Sequence, residues 1–117
     1  LITKILFMNL ANKNLSSEQA VNRHNIRPGD EFTMTTSSSL YQVRVLKEDS
    51  FVVSGGWFDE NGESPRRTGI LGCSMDVKTI NEDIVCAYGL HVHFENGVVT
   101  SPVRKIEIRR YLDQQNL

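Results

Sequence analysis

The sequence holds little that would announce an activity. No segment places a nucleophile, a base or a ligand set at the spacing that a catalytic motif requires, and no cofactor-binding fingerprint is present. Cysteine occurs only twice, at Cys73 and Cys86, too rarely for the disulfide framework of a small secreted scaffold. Both stand in apolar, strand-like surroundings and read as buried free thiols of a cytoplasmic protein. Charge of one sign is missing as well. Thirteen lysines and arginines face fourteen aspartates and glutamates, for a formal net charge of −1. That excludes a global field drawing the chain to nucleic acid or anionic lipid, so any electrostatic partner must be met by a local patch. The apolar opening, Leu1 to Leu10, falls far short of the ~20 residues of a membrane-crossing helix. No membrane association is expected. Met8 is a candidate initiator, and Ile2, Ile5, Leu6 and Phe7 before it would need an apolar partner surface, either the domain or a second copy.

What the chain does contain is a succession of short strand-like runs from Asp30 to Arg110, broken by turn residues. A chain of 117 residues is one domain, large enough to bury roughly two thirds of its unfolded surface without metal or disulfide. The division expected is an N-terminal segment and short helix over 1–25, a β-barrel domain over 26–112 and a tail over 113–117. Ser16 with Gln19 three residues on forms a capping box, which predicts a helix from Ser17 to His24 with Ala20, Val21 and His24 on one side. Pro28-Gly29 turns the chain.

Strands are then predicted at Glu31 to Thr36, Leu40 to Lys47 and Phe51 to Phe58. In the second, Tyr41, Val43 and Val45 alternate with Gln42 and Arg44, the mark of a half-buried strand. Gly55-Gly56 predicts a bend or bulge in the third. Asp59 to Pro65 reads as a polar hairpin tip, Arg66 to Ser74 as a returning strand, Met75 to Glu82 as irregular, and Asp83 to Glu95 as β again, with Tyr88, Leu90, Val92 and Phe94 inward. Asn96-Gly97 predicts a two-residue hairpin that sets Glu95 against Val98 and His93 against Thr100. Val103 then has the opposite parity to Ile106 and Ile108, so a bulge is required between them, just after Pro102. The last strand should run to about Tyr111.

The runs Val53-Ser-Gly-Gly-Trp-Phe-Asp59, Gly69-Ile-Leu-Gly-Cys73, Asp83-Ile-Val-Cys-Ala87 and Phe94-Glu-Asn-Gly-Val-Val-Thr-Ser101 carry a resemblance. From about Ile26 to Arg110 the chain resembles a group of small bacterial β-rich proteins without assigned activity, some encoded on mobile integron gene cassettes. The likeness rests on glycines, turns and core positions. It implies the fold and an accessory, binding-type role, and it transfers no catalytic residue.

Several side-chain groups invite a function. His91, His93 and Glu95 alternate along one strand and could share one face, with ligand types that suit a divalent metal. The hairpin register offers no fourth ligand opposite them. Trp57 and Phe58 adjoin the polar tip, with Arg66 and Arg67 returning beside them. One aromatic should enter the core and the other lie outside, where aromatic and arginine together form a recognition spot. Arg104, Lys105, Arg109 and Arg110 cluster near the end but split between two faces around Glu107, so single-stranded nucleic acid is a minor reading. Cys73 or Cys86 has no neighbouring residue that marks it as an activated nucleophile. Asp59, Glu60 and Glu63 lack the spacing of a calcium loop.

The expectation is therefore an all-β antiparallel barrel, SH3-like or a related small roll of about five to seven strands, with one short N-terminal helix. Its leading function is a binding module without catalytic activity or cofactor, holding a small molecule or protein through Trp57, Arg66, Arg67 and Tyr88. A metal-dependent enzyme on His91 and His93 and a structural or regulatory homo-oligomer are the alternatives.

Overall fold

Alternation of apolar and polar residues becomes sheet over a little more than half of the chain that the computed structural model describes, residues 15–76 and 78–111. The apolar opening with Met8 and the tail from Asp113 lie outside the described residues. In chain order the strands are β1 (Leu15–Glu18), β2 (Ala20–Asn22), β3 (Glu31–Thr36), β4 (Leu40–Lys47), β5 (Ser50–Gly55), β6 (Arg66–Thr68), β7 (Ile70–Ser74), β8 (Ile84–Ala87), β9 (His91–Phe94) and β10 (Val103–Arg109). A 3₁₀ turn at Arg23–Asn25 follows β2, and a short helix α1 (Gly56–Glu60) follows β5. No helix among the described residues is long and apolar enough to cross a membrane.

The strands form one six-stranded sheet in the order β1-β10-β3-β4-β5-β6 and two ribbons, β2-β8 and β7-β9, all antiparallel. The all-β architecture expected from the sequence is present, but the sheet is open and no closed barrel forms among the described residues. Its inner face supplies Phe32, Met34, Tyr41, Val43, Val45, Phe51, Val53, Ile106 and Ile108, all buried. Phe58, Val85, Cys86, Val92 and Phe94 join them in one cluster. Phe58 is the hub of its aromatic part, edge-on to Trp57, Tyr41 and Phe94 at ring separations of 5.3, 6.2 and 5.1 Å, the arrangement that aromatic quadrupoles favour. Of the two neighbouring aromatics, Phe58 is the one that enters the core.

β3 and β4 have the predicted limits, and the predicted bulge is found at Arg104: Val103 pairs with Thr36, then Lys105 with Thr35. The extra residue restores Ile106 and Ile108 to the inner face. Elsewhere the structure corrects the sequence. The predicted helix from Ser17 to His24 is instead β1, β2 and the 3₁₀ turn. An isolated helix of eight residues is marginal, whereas β1 gains a full ladder on β10 from Leu15↔Arg109 to Glu18↔Ile106, and Val21 is buried opposite Cys86. Asn22 takes the capping role, its side chain accepting from the His24 amide at 2.8 Å.

The third predicted strand ends early. Gly55 lies at φ 93°, where a Cβ would sit 2.2 Å from the Leu40 carbonyl oxygen, so only glycine fits, and the chain winds into α1. The strand predicted over Arg66 to Ser74 divides at Gly69, and that over Asp83 to Glu95 divides at Gly89. Tyr88, expected inward, is consequently at a turn and 52% exposed.

The hairpin register also differs. Asn96 does not adopt positive φ, which a two-residue type I′ turn would require. Instead Gly97 alone does, at 94°, the Gly97 amide donates to the Phe94 carbonyl at 3.0 Å and the Phe94 amide to the Val98 carbonyl at 2.8 Å. This is a three-residue loop with glycine in the left-handed position. It shifts the pairing by one, so His93 faces Val99 rather than Thr100.

Candidate binding groove on the outer sheet face

A strand that buries its odd residues displays its even ones. On the six-stranded sheet the displayed residues line up across five strands in two rungs. The first runs Arg109, Glu31, Arg44, Val52 and Arg67, from β10 through β3, β4 and β5 to β6; the second runs Glu107, Thr33, Gln42 and Ser54. Side chains opposite one another in such rungs stand about 5 Å apart at Cβ. All of these but Arg67, with Pro65 at one side, wall an open groove of about 490 Å³.

Charge alternates from Arg109 through Glu31 to Arg44 along the first rung, and the second carries a carboxylate at Glu107 followed by hydroxyl and amide groups. Glu31 forms an ion pair with Arg44, 3.5 Å from its Nε, and Glu107 one with Lys105, 3.5 Å from its Nζ. Arg109 differs. Its Nε is shielded from solvent and has no hydrogen-bond partner among the described residues, and no carboxylate among them lies within ion-pair distance of it. Such orphaned donors are rare in folded proteins; this one is closed to solvent, and it is the rest of the guanidinium, bordering the groove, that a further acceptor would meet.

Of the residues singled out from the sequence, Arg109 of the basic cluster lines the groove, and Trp57, Arg66, Arg67 and Tyr88 do not. Arg67 continues the first rung past Val52 and donates to Ser50 Oγ at 3.1 Å. Arg66 has the opposite parity and pairs with Glu63. Trp57 is half-buried on α1, its amide donating to the Tyr41 hydroxyl at 3.3 Å. Tyr88 lies at the turn after β8, where its amide donates to the Gln19 carbonyl at 2.8 Å. No aromatic or hydrogen-bond contact joins these four to one another among the described residues.

His91, His93 and Glu95 are each engaged separately. His91 Nδ1 donates to the Thr100 carbonyl at 2.7 Å, Glu95 accepts from the Gly69 amide at 3.1 Å, and His93 Nε2 lies 2.6 Å from Ser74 Oγ. Among the described residues no group of three His, Cys, Asp or Glu side chains is arranged to hold a metal ion. Ser74 and His93 have the contact distance of a nucleophile and base, but they are only 2% and 6% exposed, and the pair closes the β7-β9 ribbon. Burial pushes the Cys73 thiol up to about 12 and that of Cys86 well above its ordinary value, so neither is a nucleophile near neutral pH. Cys86 points its Sγ at Met34 Sδ, 3.5 Å away.

The sequence did carry a trace of the groove in the polar members of the alternating strands, Thr33, Gln42 and Arg44. It could not show that β10 lies beside β3 and so brings Arg109 and Glu107 to them. No protein-family model, curated protein or solved structure matches the chain.

Proposed function

We propose that the protein is a binding module without catalytic activity, and that a small polar molecule lies in the groove on the outer face of its six-stranded sheet. The observation that supports this most is the two-rung arrangement itself: a groove of about 490 Å³ walled by charged and hydrogen-bonding side chains from four strands, within the roughly 300–1,000 Å³ of small-molecule sites. Rigid strands hold these groups, as a site that recognises by hydrogen bonding needs. In this reading the open sheet is a small roll of the SH3-like or a related kind, with one face for the core and one for the ligand. The free, buried cysteines favour a cytoplasmic setting, and an accessory role fits the resemblance to cassette-encoded proteins.

Amide NMR of the labelled protein against mixtures of small polar molecules tests the reading. Shifts should concentrate at Thr33, Gln42 and Ser54. Shifts centred on Trp57, Arg66 and Tyr88 instead would move the site to the aromatic and arginine surface, and a change in particle size on addition of nothing but more protein would favour the homo-oligomer.

A further inference from the structure

We propose that the ligand of this groove carries a carboxylate, seated on the guanidinium of Arg109. The inference rests on the groove reading above and narrows it to a chemical class. Its starting point is the division of partners along the first rung. Glu31 stands beside Arg109 in the ladder but turns to Arg44 on its other side, and Glu107 turns to Lys105. Arg109 is thereby left as a groove-lining cation with no carboxylate partner among the described residues. Its Nε is closed to solvent, so a ligand would meet the terminal N–H groups, where a planar guanidinium best binds a carboxylate or phosphate through two parallel N–H bonds.

The two neighbouring glutamates decide between these anions. A phosphate dianion would lie close to both Glu31 and Glu107 and be repelled twice, while a carboxylate carries half that charge. The same glutamates and Thr33, Gln42 and Ser54 accept hydrogen bonds, so the remainder of the ligand should bear hydroxyl, amide or ammonium donors. Val52 and Pro65 border the groove and leave room for a short apolar stem. The ligand class is accordingly a small carboxylic acid with polar substituents, of which free amino acids and hydroxy acids are examples.

The experiment is a titration followed in ¹H–¹⁵N spectra, where the Arg109 Nε–H gives its own resonance. The probes are free amino acids, hydroxy acids, inorganic phosphate and neutral polyols. The expected result is that one or more carboxylate probes move the Arg109 Nε–H together with the Thr33, Gln42 and Ser54 amides. Arg109→Lys should then weaken that probe about tenfold or more, because an ammonium cannot supply the fork. Glu107→Gln, a surface change that keeps the strand, should strengthen it severalfold. Retained spectral dispersion shows that each variant is folded, and if Arg109→Lys is not, Glu107→Gln decides alone. Groove binding by polyols or phosphate with carboxylates silent, or carboxylate binding indifferent to these substitutions, overturns the inference but leaves the groove reading standing. If no probe moves any groove resonance, both fall.

Discussion

The two faces of the six-stranded sheet share the same strands and differ in everything else. Inside, Phe32, Val43 and Val53 are sealed against aromatic and aliphatic neighbours; outside, the residues next to them in sequence, Glu31, Gln42 and Ser54, wall an open groove. The inner face is bound by shape, with stability proportional to the apolar area it removes from water. The outer face is held in place by the strands without contributing much to their stability. Substitutions should therefore separate the two cleanly: inside they cost folding, outside they cost binding.

The largest break is expected at Phe58. It is fully buried and touches three other rings, so Phe58→Ala should lower unfolding free energy by about 3–5 kcal/mol, measured by urea denaturation. Trp57, one residue earlier but half-buried at the edge of the same cluster, should lose only about 1–2 kcal/mol on truncation to alanine. Equal losses at the two would mean that α1 is part of the core as a whole.

Alkaline pH probes the inner face by another route. The Cys73 thiol, ordinarily ionising at 9.0, is held up to about 12 by burial. The folded state therefore keeps a proton that the unfolded chain releases in this range. Stability from this group is complete below pH 9 and is lost as pH rises toward 12, by on the order of 4 kcal/mol in all. Cys73→Ala should show a shallower decline over the same window in denaturation series at stepped pH, after allowance for a constant cavity cost. A parallel decline in the two proteins would remove the thiol from the account.

How far this organisation was legible in the sequence depends on how local its causes are. The limits of β3 and β4 follow from period-two alternation alone, and the bulge at Arg104 follows from the parity conflict between Val103 and Ile106. The segment from Ser16 to His24 carries a helical signal in its capping residues because that signal is local, while the partners that overrule it, β10 and β8, are more than sixty residues away. The turn at Asn96 and Gly97 differs from its sequence expectation by one residue, since the same dipeptide serves a three-residue loop when only the glycine takes positive φ. The groove was missed for a topological reason. Its Arg109 and Glu31 meet only because the last strand returns beside β3, and no spacing in a single sequence encodes that.

Arg23 sharpens the comparison by joining the core's cover to the sheet. Its guanidinium donates to three backbone carbonyls from three segments: Glu82 at 2.7 Å, Glu48 at 2.8 Å and Ile70 at 2.7 Å. One side chain thus ties the start of β7, the approach to β8 and the turn between β4 and β5. A lysine has no planar fork to reach all three, so Arg23→Lys should destabilise by about 2 kcal/mol, and hydrogen exchange should quicken first in β7 and β8 while β3 and β4 stay protected. Uniform loosening of the whole sheet would show that the contact is not confined to the cover.

The smallest effect on folding is expected at the centre of the outer face. Gln42 stands between Thr33 and Ser54 in the second rung, exposed, and its side chain makes no hydrogen bond to the described residues. Nothing in the core would register its loss, so Gln42→Ala should change unfolding free energy by no more than about 0.5 kcal/mol. In the groove, however, its amide is the only side chain of the second rung able to donate and accept through separate atoms, and its removal should weaken a groove ligand that bonds to it by about tenfold, the order of one lost hydrogen bond. The two numbers come from the same variant, one from denaturation and one from ligand titration, and they must diverge. A Gln42→Ala protein that loses stability and binding in proportion would mean that the outer face is held by its own contacts, in the manner of the inner one, and is not a surface kept open for a ligand.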